Sequence, residues 1–297
     1  MTRCPVCNMH FVNHGMDDLS EHLIAESMKS SPDHVMWLNR EIGKESMNTA
    51  DLSRKLQNFF KSDSVSSWIK THFLSRFYGE TPHRFVIAMQ SPSRGMLAGY
   101  AYEHHFFLKQ WVKSLAYIVA KTDAEEVQRS EIDNMLVEFF GYGGKPSHHE
   151  LLIRMGEDLG LSRNSIINGT PLPRTMKSVQ TWEMICRDNH WLEGMAAMHS
   201  LELVASRNLR QMGSRVHYFN EEILENNMFP ASVVEFLREG YEADVGHSES
   251  SLLLVDRYCN GEELKQEVLA SYLESEEAFY RYLDARYLRG KEFEAKL

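Results

Sequence analysis

The stretch GYEADVGHSES, residues 240–250, carries Asp244 and His247 three positions apart. On a helix that spacing points a carboxylate and an imidazole the same way. Such a pair is half of a metal site or an acid–base couple. Gly240, one turn before Asp244, offers no side chain to join them. A second group opens the chain: Cys4-x2-Cys7, then Phe11, then Leu19-x2-His22, with His34 further on. Two thiols and imidazoles are the donors zinc takes in tetrahedral structural sites.

Both groups need a scaffold. The chain has 297 residues, 43% of them hydrophobic and 25% charged, enough for one large soluble domain with a small module. The net charge of −10 argues against a broad nucleic-acid surface. No apolar run is long enough to span a membrane and the start lacks a signal-peptide pattern, so a cytoplasmic protein is expected. Of four cysteines, Cys186 and Cys259 stand alone and read as buried thiols. That leaves Cys4 and Cys7 as a metal knuckle in a reducing compartment.

Glycine and proline are sparse, and long segments repeat apolar residues every three or four positions. The segments 105–120, 131–140, 149–161, 191–209, 229–259 and 264–288 predict helices. Turn signals lie at SPSRG (91–95), GYGGKPS (141–147) and NGTPLP (168–173). The expectation is an all-α domain over residues 46–290 behind a module over 1–45, with a frayed tail at GKEFEAKL. Forty residues cannot build a core without a staple.

The order knuckle, aromatic, leucine, helical histidine resembles a Cys2His2 zinc finger. The resemblance departs in its longer spacer and in the absence of a second histidine three to five residues after His22. Zinc imposes tetrahedral geometry rather than sequence spacing, so Cys4, Cys7, His22 and His34 are the expected ligands. His10, His14 and Glu26 are alternates for the fourth place. The acids Asp17, Asp18, Glu21 and Glu26 on the finger helix would repel phosphate, which argues against DNA binding. HVMWLNREI, apolar on one face, is expected to dock the module on the helical domain or on a second subunit.

PSHHELLIRMGEDLGLS, TPLPRTMKSV, WLEGMAAMHSLELVA and YEADVGHSES follow one another in an order that resembles the thiaminase-II and pyrroloquinoline-quinone-synthase-C superfamily. The likeness is greatest to its heme-oxygenase-like di-iron oxidase branch. It implies a seven-helix up-and-down bundle with a buried site. It also implies that Glu138, His148, Glu202, Asp244 and His247 hold one or two iron or manganese ions. Gly240 falls where that branch carries a histidine; His199, Glu103 and His149 are alternate ligands. Independently of the resemblance, carboxylates in apolar helical stretches are costly unless paired, and a divalent metal would satisfy them. The function expected is oxidation of a small organic molecule by dioxygen, in a homodimer. The other class is a scaffold or cofactor-free pocket with a structural zinc.

Overall fold

The computed structural model describes residues 2–11, 15–141, 143–225 and 228–296; the side chains of residues 242–249 lie outside that description. Strands β1 (Thr2–Arg3) and β2 (His10–Phe11) pair antiparallel, with Thr2 opposite Phe11. Between them the knuckle turns through Asn8, whose φ of 61° is the left-handed conformation that asparagine tolerates. Helices α1 (Met16–Met28) and α2 (Pro32–Glu41) follow. Pro32 opens α2, where its missing N–H costs nothing. Helix α3 (Thr49–Phe60), capped by the Asn48 side chain accepting from the Asp51 N–H, packs on α1. The module's packing thus runs past residue 45.

The remaining helices are α4 (Val65–Tyr78), α5 (Arg84–Ala88), α6 (Arg94–Lys121), α7 (Glu125–Phe139), α8 (His148–Asp158), α9 (Arg163–Ile167), α10 (Pro173–Asp188), α11 (Trp191–His199), α12 (Asn208–Gln211), α13 (Ala231–Tyr258) and α14 (Glu262–Glu294). The α6–α14 pair forms the spine, with α10 and α11 laid across it. Close approach at the spine depends on glycine: a Cβ on Gly99 would lie 2.3 Å from the Gly290 nitrogen. Aromatic side chains fill the interior, among them Trp182, Phe279 and Tyr282. The all-α domain expected from the spacing forms, as the helical bundle that the family resemblance implied.

Two local expectations fail. The first five residues of GKEFEAKL are not frayed: α14 carries 290–294 as helix, and Ser93 Oγ bonds the Glu294 carboxylate back to the start of α6, while Ala295 and Lys296 leave the helix and residue 297 lies outside the described residues. The stretch 191–209 is not one helix either. It is α-helical to His199 and then tightens into a 3₁₀ turn, Ser200–Ala205. The Tyr78 hydroxyl holds the Val204 carbonyl there, satisfying a group the tightened turn frees.

Candidate functional site

In the N-terminal module, four expected ligands converge. Cys4 Sγ lies 3.8 Å from His34 Nε2, and Cys7 Sγ lies 3.3 Å from His22 Nε2. All four ligand atoms fall within 4.8 Å of one another. A zinc tetrahedron with bonds of ~2.0–2.3 Å has edges of roughly 3.3–3.8 Å, so the donor set fits the ion. The ligands come from three places: the two cysteines from the knuckle, His22 from α1, His34 from α2. His34 Nδ1 bonds Ser31 Oγ at 2.8 Å, which orients the ring and leaves Nε2 for the metal. Burial pushes the Cys4 thiol up to about 12, a proton that a bound zinc would displace. The alternates are not needed. His10 is exposed, Glu26 bonds Lys29, and His14 lies outside the described residues.

The module docks on the bundle. Asn8 Nδ2 donates to Glu274 at 2.7 Å, and Arg3 pairs with Glu193 at 3.1 Å. His72 of α4 bridges two carboxylates, Glu41 of α2 through Nε2 and Glu276 of α14 through Nδ1, each at 2.8 Å. Burial disfavours its charge, but the Glu276 and Glu41 carboxylates outweigh that and hold His72 at about 9. The docking expected of HVMWLNREI is therefore onto the bundle of the same chain.

Inside the bundle lies a cavity of about 100 Å³. Glu138, His148, Glu202 and Gly240 line it together with His104 and Arg286. His148 Nδ1 sits 2.8 Å from Glu138 Oε1. α8 thus lies back against the end of α7, as the long spacer between the two residues required. Behind Glu202, His199 Nδ1 lies 3.4 Å from Glu202 Oε1, and its Nε2 lies 2.9 Å from Glu131 Oε1. Burial opposes a charged His199, yet the Glu131 and Glu202 carboxylates prevail and raise it to about 10. It stands as an imidazolium clamped between two carboxylates.

Glu131 is the residue sequence reasoning missed. It is fully buried on α7, two turns before Glu138. The signal was present: seven residues return to nearly the same helix face. Its neighbours Ser130 and Asp133 made it look solvated.

The alternates Glu103 and His149 are engaged elsewhere. Glu103 accepts from Thr175 Oγ1 at 2.5 Å, from the Leu172 N–H and from Arg289 Nε at 2.8 Å. His149 pairs with His105 at 2.8 Å. Neither lines the cavity. Asp244 and His247 lie on α13, but their side chains fall outside the described residues. Among the described residues a Cβ built on Gly240 meets nothing within 4 Å, so His199 does not take the place of a side chain there.

Among the described residues, three or more metal-type ligand atoms converge at the zinc knuckle and at Glu41/His72/Glu276. The bundle candidates form two carboxylate–imidazole clusters instead, Glu138–His148 and Glu131–His199–Glu202. Glu138 Oε2 and Glu202 Oε2 are buried and have no hydrogen-bond partner among the described residues. Unpartnered buried carboxylate oxygens are the donors a divalent cation would satisfy.

The TENA/THI-4/PQQC family model matches residues 68–290. The chain belongs to that family. A C2H2 type zinc-finger model matches residues 1–61. The 4-aminobenzoate synthase of Nitrosomonas europaea is 24% identical over 142 residues, 48% of this chain and 55% of that protein. The chain thus spans about half the length of that curated relative. Among solved structures, a CADD-like protein of unknown function from Nostoc punctiforme superposes with a TM-score of 0.58 at 16% identity. That match covers 77% of this chain and 96% of the other. A domain of unknown function with a heme oxygenase-like fold from Shewanella denitrificans gives 0.57 at 14%, covering 85% and 97%. These likenesses establish a heme-oxygenase-like fold for this TENA/THI-4/PQQC domain. Among the described residues no helix is long and apolar enough to cross a membrane.

Proposed function

We propose that the bundle cavity is the active site of a metal-dependent oxidase or oxygenase acting on a small organic molecule with dioxygen. The observation that carries this reading is the pair of buried carboxylate oxygens, Glu138 Oε2 and Glu202 Oε2, unpartnered among the described residues and belonging to two residues that line the cavity. Glu138, Glu202 and His148 would hold iron or manganese, with Asp244 and His247 of α13 completing the set. When bound, such an ion supplies dioxygen activation. The chain's own side chains do the rest. His199 and Glu131 fix the Glu202 carboxylate from behind. Phe107, Trp111, Tyr218 and Phe236 exclude water from the reacting molecule. The curated relative's name, 4-aminobenzoate synthase, is in keeping with chemistry on a compact aromatic molecule. The zinc is structural, a cytoplasmic setting suits cysteines that form no disulfide, and a homodimer is the assembly proposed.

One observation favours a second reading. The cavity's ligand-type atoms do not converge among the described residues, and Gly240 supplies none. A cofactor-free or purely binding pocket, with His148 as acid or base, meets that geometry. Metal analysis of protein purified without added metal separates the two. Iron or manganese beyond the zinc supports the oxidase; zinc alone, with no dioxygen uptake after ferrous loading, contradicts it.

A further inference from the structure

Helix α7 turns its large apolar residues outward. Its bundle side carries Val127, Glu131 and Asn134, all buried, with Glu138 at the cavity. Glu131 bonds His199, and Asn134 Oδ1 accepts from Trp111 Nε1 at 3.1 Å. On the opposite face stand Ile132, Leu136, Phe139 and Phe140, which are 43%, 44%, 62% and 74% exposed. Residues three and four apart on a helix are neighbours, so the four form one continuous stripe. The Phe139 and Phe140 rings meet edge to face, 5.2 Å between centroids. A surface helix ordinarily points such residues at the core. In α7 the core side is occupied by groups that serve the His199 cluster and the cavity. Packing within the chain therefore does not account for the stripe.

Size, symmetry and charge select what covers it. At these exposures the four side chains leave on the order of 400 Å² of apolar surface in water. A standard interface buries about 800 Å² per partner, a little over half of it apolar. The stripe matches the apolar share of one such interface. Ile132, Leu136 and Phe140 follow one another at intervals of four, so the row is symmetric about Leu136. A two-fold axis at Leu136, with two α7 helices antiparallel, sets Leu136 against Leu136 of the partner subunit. It sets Ile132 against Phe140 of the partner subunit. Rows with this spacing are the ones that interdigitate in the commonest class of helix packing. The antiparallel sense also suits the charges. Glu125 and Glu126 open α7, so the acids of the two copies would stand ~30 Å apart, about three Debye lengths at 0.1 M salt. A parallel pair would bring them together. Asp133 lies at one edge of the stripe, where its carboxylate stays in water.

We propose that the outer face of α7 is the contact surface of a two-fold homodimer, α7 antiparallel on α7 with Leu136 at the axis. The inference rests on the homodimer proposed above and supplies its interface. Each chain carries a net charge of −10, which opposes association, and the stripe itself is apolar. Burial therefore drives the contact, and added salt, by screening the repulsion, strengthens it. A partner held by charge would respond in the opposite sense. The same helix then carries the subunit contact on its outer face and the cavity acids on its inner one.

The test is sedimentation velocity on the full chain as purified, across a concentration series in low and high salt. Wild type should sediment as a dimer at ~10 μM, and the dimer should be no weaker in high salt. Leu136→Lys places two ammonium groups face to face and should weaken self-association ~100-fold or more. A lysine in the last turn of a helix suits the helix dipole, so circular dichroism and zinc content should match wild type. Leu136→Asp should be monomeric too. An equimolar mixture of the two variants should recover the dimer, because position 136 meets itself only across a two-fold axis. A dimer that survives Leu136→Lys overturns this interface and leaves the homodimer standing. So does a mixture that fails to re-associate. Wild type that stays monomeric overturns both. If that monomer floats with phosphatidylcholine vesicles, the stripe belongs to a bilayer and the proposal falls with it.

Discussion

In the N-terminal module four ligand atoms from a knuckle and two helices meet within 4.8 Å. In the bundle, five ionisable side chains sort into Glu138–His148 and Glu131–His199–Glu202, and two carboxylate oxygens stay unpartnered. The first arrangement is closed, as structural zinc sites are. The second leaves donors facing a cavity, as a site that must admit a reactant does. A module too small for its own core spends its metal on folding. A bundle with an aromatic core can carry unsatisfied groups and still fold, because packing elsewhere stabilises it.

Breaking the closed site should give the largest effect. Cys4→Ser/Cys7→Ser removes both thiolates, and zinc binding in such modules contributes on the order of 10 kcal/mol to folding. The double variant should lose its zinc and expose the first sixty or so residues to protease, while the helical circular dichroism of the bundle persists. Unchanged zinc would remove the finger reading.

Next is the ion-pair cluster behind the cavity. Glu131→Ala leaves the buried His199 with one carboxylate instead of two. It should destabilise the bundle by about 3–5 kcal/mol in denaturant titration, the range for breaking a buried pair. A change under ~1 kcal/mol would mean that Glu131 is not buried against His199.

The latch between the two regions should respond to pH. His72 is raised above its unfolded value, so its contribution is fully present below about pH 6.5 and is lost as pH rises through about 9. Protease sensitivity of the module should rise across that window in wild type. His72→Gln should lower docking stability by ~2–3 kcal/mol below it and flatten the response. An unchanged pH profile in the variant would remove His72 from the latch.

The smallest effect belongs to Gly240. Its Cβ has open space, so Gly240→Ala should raise the melting temperature slightly, by the ~1 kcal/mol that alanine gains over glycine in a helix. A loss of stability would mean that the space is filled.

How legible each region was follows from the same contrast. The zinc ligands could be read because thiols and imidazoles in that order are rare by chance, and a tetrahedral ion tolerates His34 arriving from a second helix. The bundle's helices could be read from their apolar spacing, and Glu202 from its apolar flanks. Glu131 was hidden because polar neighbours on the same turn mask a buried acid. The 3₁₀ turn after His199 was hidden because nothing in SLELVA breaks helical spacing; the cause is a hydroxyl from distant Tyr78. The hydrogen bonds of Arg286 to His104 and Tyr218 tie α14 to α6 and to the segment around Tyr218, and no local pattern announces contacts that far apart.

The most direct test of two metal sites of different kind is elemental analysis of three proteins: wild type, Cys4→Ser/Cys7→Ser, and Glu138→Ala/Glu202→Ala. The account predicts zinc plus iron or manganese in wild type. The cysteine variant should lose zinc and retain the second metal, and the glutamate variant should do the reverse. If the glutamate variant matches wild type in every metal, the bundle cavity holds no ion through these carboxylates and the account's central claim fails.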